Sequence, residues 1–245
     1  MIKITIGLIR YVHQSVFVSH NLKTKTWMDS LTDERNTWFN AVRLEDSHDY
    51  SSAALAFIDD AARCLSRGHF VRAAMSAASA ASCLATLGDP DATTELYSAA
   101  ASLYEHNADA GMGKSMRESL WSLLHAFEYF TLVSNHVSAE RASKKYADLA
   151  KRVDRFESRN VFDALKVRRE NVLLARDSLG SLPRPQKIAP NQDKIHRAAN
   201  AFLQQVQSAI AEADGSPIGE QCLENDDENL SYETEDDFNE RRIVS

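Results

Sequence analysis

Glycine and proline are confined to joints in this chain. Apart from Gly7, they fall at Gly68, at Gly88 and Pro90, at Gly111 and Gly113, at Gly180, at Pro183, Pro185 and Pro190, and at Gly215, Pro217 and Gly219. Long runs free of both lie between. A glycine inside a helix costs about 1 kcal/mol and a proline about 3 kcal/mol, so a chain punctuated this way reads as helices with short connections. The joints are also regular. His48-Asp49-Tyr50, Gly68-His69-Phe70 and Gly88-Asp89-Pro90 begin 20 residues apart, and a fourth, Asn107 to Gly113, follows at a similar interval. One such unit is a helix of about 16–18 residues, about 25 Å long, plus a turn. Two units make a hairpin of about 40 residues, within the range of helical repeats.

Each segment carries apolar residues at helical spacing. The first, 32–46, turns Trp38, Phe39, Val42 and Leu44 inward. The second, 50–66, has Ala54, Phe57, Ile58, Ala61 and Leu65; the third, 69–87, has Phe70, Ala73, Ala74, Ala77, Ala81 and Leu84. The fourth, 90–106, opens with Asp89 as N-cap and Pro90 in the first turn, and its stripe is Leu96, Ala99, Ala100, Leu103 and Tyr104. The fifth, 115–134, opens with Ser115-x-x-Glu118, a capping-box pattern, and carries Met116, Leu120, Leu123, Leu124 and Phe127. Residues 137–179 form one long helix or two joined near Ser158-Arg159-Asn160, and a last helix spans 192–213 with Ile195, Ala198, Ala199, Phe202, Val206 and Ile210 inward.

Charge divides the chain. The formal net charge is -7, yet residues 216–245 hold ten acids and two bases, leaving a body of 25 acids and 26 bases. The acidity belongs to a tail, and the near-neutral body makes no case for nucleic acid. The expected organisation is an N-terminal extension over 1–27, native or not and weakly ordered, with Met28 as a candidate true start. A helical domain follows over 28–180, then a Pro-rich linker over 181–191, a C-terminal helix over 192–214, and a disordered acidic tail over 215–245. No run of 18 apolar residues suggests a membrane span. Arg10 and His13 interrupt the apolar N-terminus, unlike a signal peptide. Cys64, Cys83 and Cys222 show no zinc spacing and read as reduced thiols of a cytoplasmic protein.

Two segments, His48-Asp49-Tyr50-Ser51-Ser52-Ala53-Ala54 and Gly68-His69-Phe70-Val71-Arg72-Ala73-Ala74, share a turn, an aromatic residue and then alanines. The segment Glu95 to Tyr104 is alanine-rich in the same manner. Over roughly 38–106, extending towards 156, the chain resembles the tetratricopeptide-like superfamily, including its SNAP-type members, the adaptors of vesicle fusion. It departs from the standard 34-residue repeat in its longer unit, and it meets the family's Trp/Leu/Gly pattern only through Trp38. The resemblance implies an all-α fold of antiparallel helix hairpins stacked as a short solenoid. It implies protein binding or scaffolding with no cofactor.

Candidate chemistry is sparse. His125 and Glu128 lie three apart, and Glu105-His106 ends the fourth segment, but the order is the reverse of the di-iron motif and unpaired. Gly111-Met112-Gly113-Lys114-Ser115 ends like a phosphate loop, yet position 108 is Ala where the first glycine belongs. Neither catalysis nor a metal is expected. The better candidates are charged surfaces. Residues 137–180 carry a basic face that includes Lys144, Lys145, Lys151, Arg152, Arg155, Arg159, Arg168 and Arg169. Part of it is expected in (i, i+4) pairs such as Glu140–Lys144 and Asp148–Arg152. The tail interleaves acids and apolar residues, Leu230, Tyr232, Asp236, Asp237 and Phe238 among them, in the manner of a linear docking motif. The expected activity is that of an adaptor for an unidentified protein partner, with the tail docking on its own helices or on a partner. The alternatives are a SNAP-like trafficking adaptor with peripheral membrane contact, and a helical enzyme or small-ligand-binding protein whose site escapes recognition.

Overall fold

The structure, a computed structural model, describes residues 36–112, 115–153, 158–180 and 191–215. Expectations for the N-terminal extension, the Pro-rich linker and the acidic tail, including Leu230, Tyr232, Asp236, Asp237 and Phe238, lie outside these residues, as do Lys114 and Arg155. The described residues form eight helices and no strand. They are α1 (Thr37–Asp46), α2 (Tyr50–Leu65), α3 (Phe70–Leu87), α4 (Pro90–Gly111), α5 (Met116–Leu132), α6 (His136–Val153), α7 (Ser158–Gly180) and α8 (Gln192–Gly215).

Four joints are built alike. His48, Gly68, Gly88 and Ser134 each take a left-handed backbone, with φ of 64°, 74°, 76° and 61°. In each case the next amide reaches five residues back to a carbonyl of the helix just ended. The four bonds are Asp49 N–H to Leu44, His69 to Cys64, Asp89 to Leu84 and Asn135 to Phe130, all at 2.9–3.0 Å. This is the Schellman closure that stops a helix sharply. The same residue then starts the next helix. Asp49 accepts from the Ser52 amide, Asp89 from Ala92 and Asn135 from Ser138, while His69 makes no side-chain cap. One residue thus ends a helix and the next begins another, and consecutive helices fold back on each other.

The fourth expected joint begins too early. Helix α4 continues through Asn107 to Gly111. Asn107 is not a breaker here, because its side-chain amide donates to Ser122 and Glu118 of α5. Ala108 is fully buried and its carbonyl accepts the Ser119 hydroxyl at 3.1 Å. Ser115 caps α5 as expected, accepting the Glu118 amide. Of residues 136–180, the described ones form α6, to Val153, and α7, from Ser158. Met116, placed in the α5 stripe, is 40% exposed: it is the first residue of the helix, at the cap end.

Consecutive helices pack from α1 through to α7. On α4 and α5 the contacting residues run in opposite senses, Tyr97 with Tyr129, Tyr104 with Trp121 and His125, Ala108 with Ser119. Helix α3 is packed through small side chains. Its Ala73, Ala74, Ala77, Ala78, Ala80 and Ala81 are all buried, and side chains this small let neighbouring helices approach closely. By length and composition α3 could cross a membrane, but half of that window is buried, as in the core helix of a folded domain. A polar cluster fixes α2 to α3. Asp60, 5% exposed, accepts from Ser76 at 2.6 Å and from Arg72 at 3.2 Å. Trp38 of α1 covers the Arg72 guanidinium at 5.3 Å.

Helix α8 does not continue the succession. It packs chiefly on α2 and α4, far back along the chain. Ile195, Ala199, Phe202 and Val206 enter the common core, each at most 4% exposed.

Candidate interaction surface

Ion pairs bind alternate helices together. On α4 and α6, Arg141 grips Glu105 with two 2.7 Å hydrogen bonds, and Lys145 reaches Glu105 at 3.0 Å and Asp109 at 2.7 Å. On α5 and α7, Arg168 pairs with Glu128 and Arg176 donates to the Ser134 hydroxyl at 2.7 Å. Partner numbers rise together along both pairs of helices, at separations of 36 to 42 residues. Burial opposes ionisation of Glu105, but the hydrogen bonds from Arg141 and Lys145 outweigh it and hold its carboxyl below its ordinary range. Glu128 behaves the same way: burial raises it, and His125 and Arg168 more than reverse that.

These pairs divide the predicted basic face. Lys145 and Arg168 are turned to carboxylates of earlier helices. Lys144 pairs with Glu140 at 3.3 Å as expected. Asp148 pairs with Lys151 at 3.4 Å rather than with Arg152, the partner expected from sequence. Lys151 also lies over the Phe162 ring, 6.0 Å from its centroid, bridging α6 and α7. Arg159 is on α7, but its side chain lies outside the described residues. Among the described residues Arg152 and Arg169 meet no carboxylate, and both are exposed.

The same two helices also expose apolar side chains. Val137 of α6 is 78% exposed, and Phe162, Val167 and Leu174 of α7 are 48%, 57% and 66% exposed. Arg169 also lines a cleft of about 190 Å³ between α5, α6 and α7, with Phe127, Thr131, His136, Ala139, Glu140 and Ser143. The Thr131 hydroxyl in this cleft is buried and has no hydrogen-bond partner among the described residues.

His125 and Glu128 do come together, 3.1 Å apart, but in a packed aromatic stack. Tyr104, Trp121 and Tyr129 surround the histidine at ring separations of 4.3–6.4 Å, and Tyr97 stacks on Tyr129 behind them. Burial pushes the Tyr97 hydroxyl up to about 12 and raises those of Tyr104 and Tyr129 well above their ordinary range. Neutral Tyr104 and Tyr129 beside a carboxylate that is already paired are the packing of a core. His106 likewise packs edge-on against Phe70, at 4.5 Å. No group of three or more His, Cys, Asp or Glu converges as a metal site would among the described residues.

Sequence reasoning found the basic helices but missed the groove on α2 and α4 that α8 occupies, and it missed the cleft. The periodic stripe of α8 marked a buried face without marking what buries it. No protein-family model, no curated protein and no solved structure matches the chain.

Proposed function

We propose that this chain is a protein-binding scaffold of tetratricopeptide-like construction, a short solenoid of helix hairpins whose working surface lies on α6 and α7. The observation that carries this reading is the mixed character of that surface. Arg152 and Arg169, unpaired among the described residues, sit on the same two helices as the exposed Val137, Val167 and Leu174. Exposed apolar side chains and exposed cations on the same two helices suit a partner segment that alternates acids with apolar residues. The chain's own residues 216–245 have that composition, so the same surface serves either an acidic partner protein or the tail in cis. The likeness of the repeated joints at His48, Gly68 and Gly88 supports the repeat architecture. The reading assigns no catalysis and no cofactor, and places the protein in the cytoplasm.

The test is a titration of the full chain with a labelled peptide of residues 220–240, in low and high salt. Binding should weaken as salt rises and should fall on the double substitution Arg152→Glu, Arg169→Glu. Partner capture with and without residues 216–245 identifies the ligand in trans. Unchanged peptide binding in the charge-reversed chain would sink this reading. Salt-insensitive binding to anionic liposomes in preference to the peptide would favour the trafficking adaptor instead.

One observation favours a second reading, small-ligand binding in the cleft of α5, α6 and α7. It is the unpartnered Thr131 hydroxyl, flanked by Arg169, His136 and Ser143. A small carboxylate such as acetate or pyruvate is the probe. A thermal shift abolished by Thr131→Val would support this reading, and no shift at millimolar probe would end it.

A further inference from the structure

Helix α8 sits on the protein in the way a helical ligand sits in a groove. The residues it buries form one stripe, Ile195, Ala199, Phe202 and Val206, in steps of four, three and four residues, flanked by the half-buried Ala198, Leu203, Ala209 and Ile210. The opposite side is polar and exposed, with Lys194, Arg197, Asn200, Gln204, Gln205 and Gln207. Helix α3, by contrast, buries nine of its residues over more than half its circumference. A polar contact joins this apolar one: His196 Nε2 lies 2.5 Å from Asp89 Oδ2 at the α3–α4 joint, while the other oxygen of Asp89 caps α4. The receiving surface belongs to α2 and α4, not to α7, the described helix before it in the chain. An amphipathic helix laid by its apolar face into a groove between two helices is a recurring mode of peptide recognition.

We infer that the α2–α4 groove is a binding site for an amphipathic helix of a partner protein, and that α8 is its resident competitor. The occupant defines what the groove takes. A partner helix would place apolar residues in the same four-three-four pattern, small at the second position and aromatic at the third. It would carry a hydrogen-bond donor directly after the first apolar residue, to meet Asp89. This site is on different helices from the α6–α7 surface and does not depend on it.

A groove occupied most of the time binds a ligand in trans more weakly by the fraction of time it is free. The experiment titrates the full chain with a fluorescein-labelled peptide of residues 191–213. The wild-type chain should bind it weakly. Phe202→Asp in the chain, which disables the resident helix, should tighten binding about tenfold or more, and His196→Ala should tighten it by a smaller factor. The exposed control Gln205→Asp should match wild type, and a peptide that itself carries Phe202→Asp should bind none of them. A folded Phe202→Asp chain, checked by circular dichroism, that gains no affinity overturns the proposal. Should that variant not fold, His196→Ala decides: an unchanged affinity overturns the proposal and a gain supports it.

Discussion

Arg141 donates two hydrogen bonds of 2.7 Å to the carboxylate of Glu105, 36 residues earlier. The contact ties α6 to α4 across the helix that lies between them in sequence. Lys145 closes the arrangement from one turn further along, sharing Glu105 and Asp109. A buried carboxylate with one strong partner removed is costly, because its desolvation is no longer offset.

Glu105→Gln should lower stability at pH 7 by about 1–3 kcal/mol. The sign with pH follows from the depressed carboxyl of Glu105. Its contribution is present above the ordinary value of 4.5 and is lost as pH falls through the lower value of the folded chain. Glu128 adds a second contribution of the same sign. Urea unfolding between pH 3 and 7 should therefore show wild-type stability falling below about pH 5, with a shallower fall in Glu105→Gln. Parallel curves would contradict this.

The four left-handed joints predict opposite effects of substitution. At Gly68 a methyl group meets open space, so Gly68→Ala costs only the backbone strain, about 1 kcal/mol. His48 already bears that strain at φ 64°. His48→Gly should recover part of it, less the contact of His48 with Tyr50 at 3.0 Å. Thermal unfolding of the two variants should move in opposite directions.

How much of this was written in the sequence depends on distance along the chain. The joints at Gly68 and Gly88 were legible because they are local: a glycine, a cap and a helix start within three residues. Asn107 was misread because its breaker character is local while its partners, Ser122 and Glu118, are on the next helix. The basic face was legible only as a sum of charges. That Lys145 and Arg168 are neutralised by Glu105 and Glu128 depends on pairings 40 residues apart, which leave no periodic trace.

The alanines of α3 predict intolerance to size. Ala77 and Ala81 are fully buried, and Ala77→Leu or Ala81→Leu should force neighbouring helices apart at a cost of about 1–3 kcal/mol or more. Thr86→Leu, on the exposed side of the same helix, should change stability by less than about 0.5 kcal/mol. Denaturant midpoints of the three variants check the contrast.

The thiols should be inert in the folded chain. Burial, with Asp60 beside it, pushes Cys64 up to about 11, and burial drives Cys83 further. Since the thiolate is the reacting species, iodoacetamide at pH 7 should modify both more than about tenfold slower in buffer than in 8 M urea. Peptide mass mapping over time reads each site separately, and equal rates in the two solvents would refute the assignment.

The His196–Asp89 contact spans 107 residues. A ribosome adds about 5–20 residues per second, so α2 and α4 are complete for roughly 5–20 seconds before the helix that covers them exists. For that interval every nascent copy displays a bare apolar furrow. A chaperone or a partner present at the site of translation meets it before the chain's own C-terminal helix does.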